Sequence, residues 1–214
     1  MSSLSARTQT TLDYQSISHP EIGEKFMVST QNRYATEIGY EILKKGGNAV
    51  DAAVAVGFAL AVTLPRAGNL GGGGFILIYE KETQKVSSID YRSAAPVAAK
   101  SEMFISDNKV QRFGHLVNAV PGSVAGLLKA HKDHGSLPLP ELLKPSIELA
   151  REGFTLSSFQ ANNLNKYKQK FSKNKEAKKI FTRPNGFSKG DIFVQKNLAN
   201  TLERIAQNGK KEFY

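Results

Sequence analysis

The apolar positions of this chain switch between a helical and a strand-like rhythm. Over residues 34–45, Ala35, Ile38 and Ile42 recur at spacings of three and four, the pattern of a helix with one face on a core. Lys44 and Lys45 fall in its last turn, where cations complement the helix dipole. Gly46 and Gly47 follow, and a left-handed helix cap favours glycine. Asn48 restarts a helix as N-cap, with Asp51 three residues on to help hold the free amides of the first turn. Residues 49–64 are interrupted only by Asp51, Gly57 and Thr63, so this second helix is predicted to be buried on every side. Its alanines make it thin, and Pro65 stops it.

After Arg66-Ala67-Gly68-Asn69-Leu70 and four glycines at 71–74, residues 75–79 (FILIY) form a continuous apolar run and read as a buried strand. A polar turn over 80–85 and a second run over 86–91 complete a β-hairpin, with Arg92 at its exit. Residues 113–120 read as a further strand. Pro121-Gly122-Ser123 opens a helix over 124–134, and a Leu-Pro-Leu-Pro loop leads to another over 140–153, with Leu142, Leu143, Ile147 and Leu149 on its core face. Residues 155–183 are helical but loosely patterned, 191–194 are a short apolar stretch, and 198–207 are a last amphipathic helix carrying Leu198, Leu202 and Ile205. The fold class is α+β. Residues 1–26 lack periodicity and read as an extended or disordered lead-in to a segment over 27–214. The most apolar window, at 16 residues, is short of the ~20 that a membrane span needs.

Composition sharpens this in two places. The 214 residues include no cysteine, which removes disulfides and thiolate chemistry. The net charge of +10 is concentrated: residues 151–214 hold 14 of the 29 Lys and Arg but 5 of the 19 Asp and Glu. Most of that excess lies in the tract 166–183 and Lys189, interleaved with Tyr167, Phe171 and Phe181. Basic and aromatic residues together suit single-stranded nucleic acid. A solvated helical face with its aromatics turned inward is the plainer account, and no nucleic acid is expected as partner.

Four features invite a chemical reading. The glycine run can cradle an anion with its amides, but it lacks the Gly-Lys-Ser/Thr ending of a phosphate loop and precedes a strand, so a close backbone crossing or a loop bordering a cleft fits better. Arg92 is either a surface arginine at a strand end or a clamp whose planar fork takes a carboxylate bidentately. His131 and His134, three apart on one helix, lack an evident third ligand, so no metal site is expected. His19 and His115 complete no Ser-His-Asp set that spacing supports.

The stretch GGNAVDAAVAVGFALAVTLPRAGNLGGGGF resembles the γ-glutamyltransferase (glutathione hydrolase) family, as do IDYRSAAP, AVPGSVAG, PSIELAREGF and KGDIFVQKNLANTLERIAQNG, in the same order. The resemblance covers residues 26–214. It implies an N-terminal-nucleophile hydrolase with an αββα sandwich, made as a precursor that cuts itself into two subunits. A threonine at the new N-terminus attacks the γ-glutamyl amide with its own amino group as base. Glutathione or another γ-glutamyl compound is the implied substrate, and no cofactor is implied. By the family's D-[YF]-R-x-x-A-P motif, Arg92 binds the substrate α-carboxylate, with Asp90 and residues 93–96 orienting it. No threonine here matches the nucleophile motif, so no catalytic residue is assigned. The sequence reads as the N-terminal part of the large subunit, its sandwich incomplete, with the rest and the small subunit as partners. The family resides in the periplasm or outside the cell, whereas MSSLSARTQTTLDYQ has no apolar signal region.

Overall fold

The computed structural model describes residues 22–104 and 114–214. The helix α2 (Ala49–Thr63) is the axis of the fold. The helices α1 (Arg33–Lys44), α3 (Ser123–His134) and α4 (Leu139–Glu152) pack around it, and α8 (Lys196–Asn208) packs on α4. The expectation for residues 49–64 holds for most of the helix, where Val54, Ala55, Phe58, Ala59 and Val62 are fully buried, but not on every side, since Ala49 and Ala53 are exposed. Small residues set the close approach. A Cβ on Gly57 of α2 would lie 2.8 Å from a Leu127 methyl of α3.

The start of α2 is built as its sequence predicts and does more than cap. The Asn48 side chain accepts from the Val50 and Asp51 amides, and Asp51 Oδ2 accepts from Asn48 N at 2.9 Å. Asp51 has no exposed surface. Its carboxylate also accepts from Ser136 N (2.9 Å), Ser136 Oγ (2.5 Å) and Leu137 N (3.3 Å). One buried charge therefore fastens the α3–α4 loop to the head of α2. Burial works against that charge, but the Ser136 hydroxyl and the three amides outweigh it and hold the carboxyl below its ordinary range.

The strands β1 (Phe75–Glu80) and β2 (Lys85–Asp90) form the predicted antiparallel hairpin, pairing Phe75 with Asp90 and Glu80 with Lys85. The expected burial of β1 is corrected. Only Ile76 and Ile78 face the core, while Phe75, Leu77 and Tyr79 are 67%, 75% and 63% exposed. Side chains alternate across a strand, and among the described residues nothing covers the second face. His134 Nδ1, at the end of α3, meets Glu80 Oε1 at 2.8 Å and ties the hairpin to the helices.

The strand expected over 113–120 is also corrected. Its first residue lies outside the described residues; the remainder is a 3-10 turn at His115–Val117 and a single bridge between Val120 and Ala94. The loosely patterned 155–183 segment divides into α5 (Ser158–Lys166), α6 (Lys168–Phe171) and α7 (Lys175–Phe181). Before it, β3 (Phe154–Thr155) pairs with β4 (Ile192–Phe193), the short apolar stretch seen in sequence. Of the expected lead-in, residues 1–21 and His19 with them lie outside the described residues.

Candidate functional site

Arg92 sits where three irregular backbone segments cross. The hairpin ladder runs one pair beyond β1 and β2, with Tyr91 N donating to Gly74 O at 3.0 Å and Gly74 N to Tyr91 O at 3.3 Å. Gly122 N and Ser123 N both donate to Gly72 O, at 2.8 and 3.0 Å. Ala94 and Val120 exchange a pair of hydrogen bonds at 3.0 and 2.8 Å. Residues 91–94 are thus held on both flanks, and Asp90 Oδ1 accepts from the Arg92 amide at 2.9 Å. The glycine run is a crossing element rather than an open loop.

That crossing leaves no room for side chains at Gly73, Gly74, Gly122 and Gly126, most severely at the last two. A Cβ on Gly122 would come within 2.0 Å of Tyr91 O, and one on Gly126 within 2.2 Å of the Tyr91 ring. Gly126 lies on α3, so the Tyr91 ring rests directly on that helix. Its burial raises the Tyr91 hydroxyl above its ordinary pKa.

The result is a rigid stem with a free end. The Arg92 side chain is exposed, and no carboxylate among the described residues pairs with it. A guanidinium with five unengaged donors on a fixed backbone can take a carboxylate bidentately. Such a clamp gains from a stem that loses little freedom on binding.

Other sequence candidates are placed apart from this stem. His131 Nε2 lies 2.7 Å from Leu137 O and His134 meets Glu80, so the two rings serve separate contacts. In the basic tract, Phe171 and Phe181 pair with each other at 5.1 Å, and Phe181 stacks on the buried Phe193. Those two rings turn inward as expected, whereas Tyr167, the third aromatic of the tract, is partly exposed, so the inward reading holds for two of the three rings.

Two contributors escape sequence reading. Tyr91 carries no signal of its own beside Arg92, although Gly122 and Gly126, four residues apart, leave the notch at the start of α3 that it fills. Tyr214 closes the first turn of α3: its hydroxyl donates to Pro121 O at 2.6 Å and accepts from Ala125 N at 3.2 Å. A contact across some 90 residues leaves no local sequence signal.

The fold and the crossing around Arg92 can now be set beside known proteins. The structure superposes on Helicobacter pylori γ-glutamyltranspeptidase with a TM-score of 0.85 at 39% identity, over 93% of this chain and 58% of that one. On Pseudomonas nitroreducens γ-glutamyltranspeptidase the TM-score is 0.82 at 39% identity, over 90% and 58%. These are N-terminal-nucleophile hydrolases. The γ-glutamyltranspeptidase family model matches residues 35–214, and the chain belongs to that family. It is 44% identical over 207 residues to the glutathione hydrolase proenzyme of Escherichia coli K12, and 40% identical over 209 residues to that of Bacillus subtilis 168. Both alignments take in 94% of this chain but 36% and 35% of those relatives, so the chain spans about a third of their length.

Proposed function

We propose that this chain is the N-terminal segment of the large subunit of a γ-glutamyl-transferring glutathione hydrolase, and that Arg92 binds the α-carboxylate of the γ-glutamyl group. The observation that carries this reading is the free Arg92 guanidinium on a backbone pinned by Gly74, Asp90 and Val120. The D-Y-R-S-A-A-P motif around it supports the same role. The substrate carboxylate docks on the guanidinium and so sets where the γ-amide lies. A threonine nucleophile, carried outside the third of the relatives matched here, attacks that amide; the C–N bond breaks, the amine leaves with the threonine hydroxyl proton relayed by the threonine's own α-amino group, and a γ-glutamyl ester remains. Water or an acceptor amine then releases it. On this reading the β1–β2 hairpin is part of an αββα sandwich completed by the remaining sequence, and the apolar outer face of β1 supports that.

Arg92→Gln in the assembled two-subunit enzyme tests the reading. A charge-assisted bidentate contact contributes about 1.5–3 kcal/mol, so kcat/KM for a chromogenic γ-glutamyl anilide falls roughly 10- to 150-fold, mostly through KM. An unchanged KM removes Arg92 from the site. Glutathione hydrolysis by the 214-residue chain alone refutes the placement of the nucleophile elsewhere.

A further inference from the structure

The end of α2, the β3–β4 pair and helices α5–α7 line a half-open pocket of about 220 Å³. Its floor is apolar and buried, made by Phe154, Leu156 and Phe193. Its wall mixes aromatic and aliphatic side chains with the polar Thr63, Gln160 and Asn163, and no carboxylate lines it. Two further lining rings, Phe159 and Tyr167, are exposed on one side, and both carry cations. The Arg66 guanidinium sits 5.6 Å from the Phe159 ring centroid, and the Lys166 and Lys170 ammonium groups sit 5.7 and 5.2 Å from that of Tyr167. Arg66 itself lines the cavity and pairs with no carboxylate among the described residues. Its seat on Phe159 holds it in place while its donors stay open.

An apolar chamber with a cationic margin selects a molecule of the complementary kind. A cavity of about 150 Å³ lined by apolar side chains accepts benzene. This one has room for a longer body, and the charge beside it favours an anionic end group. We infer that this cavity is a binding site for medium-chain carboxylates, with the alkyl chain inside against Leu156, Leu164 and Phe193 and the carboxylate at Arg66. The site is separate from Arg92 and independent of the role given to that residue.

The chain contains no tryptophan, so Phe159→Trp supplies a single fluorophore that keeps the ring under Arg66. Hexanoate, octanoate and 1-octanol are titrated at neutral pH into this variant by fluorescence, and into the unaltered chain by calorimetry. Saturable octanoate binding is expected, tighter than hexanoate by about fourfold per methylene. Octanoate should exceed 1-octanol by about fivefold, the scale of a partly exposed charge contact. Arg66→Gln should bring octanoate to the level of 1-octanol and leave 1-octanol unchanged. Leu164→Trp, which fills the chamber, should abolish both. Equal binding of octanoate and 1-octanol by the unaltered chain, no gain from hexanoate to octanoate, or no saturable binding at all each overturns the inference.

Discussion

Two charged residues, one buried and one exposed, show how much a single side chain decides here. Asp51 was legible as a capping residue from Asn48 alone, but its second task, gathering the Ser136 and Leu137 amides from 85 residues away, was not. Replacing it by Asn keeps the size and removes the charge that four donors address. Asp51→Asn should cost at least about 2 kcal/mol of stability, measured by urea unfolding at pH 7. The pH dependence has a definite sign. The folded carboxyl titrates below its ordinary value, so its contribution is full above the ordinary carboxylate pKa and is lost as pH falls through the depressed one. The Asn variant should therefore lose less stability between pH 5 and pH 2 than the parent. Arg92 is the opposite case. Its neighbours in sequence announced its motif, and its free, exposed guanidinium became visible only in the structure.

At the scale of elements, periodicity was a reliable guide wherever one face met a core. The α1, α2, α4 and α8 assignments followed from apolar spacing and caps, with ends displaced by one or two residues. The failures were at β1 and residues 113–120. An unbroken apolar run does not say how many of its faces are covered, and β1 has one covered face. Among the described residues 114–120, only Val120 has a bridge partner, Ala94, which is too little for a strand. The contact between α3 and Tyr91 offers a sharp test. Gly126→Ala places a methyl against the Tyr91 ring, and overpacking of this kind costs about 1–3 kcal/mol. Thermal unfolding should show that loss. In the assembled enzyme the same substitution should raise KM for a γ-glutamyl anilide, because the Tyr91 backbone carries Arg92. A variant as stable as the parent would mean that Tyr91 has room to move.

For the whole molecule, Phe75, Leu77 and Tyr79 form an exposed apolar row on the open face of a two-stranded sheet whose strands are both edges. Unpaired strand edges with apolar side chains template association. The isolated 214-residue chain should self-associate with rising concentration, and Leu77→Lys should suppress this in sedimentation velocity experiments without changing its far-UV circular dichroism. A chain that stays monomeric at high concentration would show that the face is tolerated in water. What the sequence by itself determined was local or shared in motif: the caps at Asn48 and Gly46, the buried α2 helix, the hairpin, and the motif that marks Arg92. Those depend on residues within a few positions of one another, where spacing and side-chain chemistry act directly. Tertiary structure alone decided which face of β1 is covered, how Asp51, Tyr91 and Tyr214 bridge distant segments, and that α2, β3–β4 and α5–α7 line a half-open pocket beside Arg66. Each of these depends on packing between segments far apart in the chain, and no spacing rule carries that information.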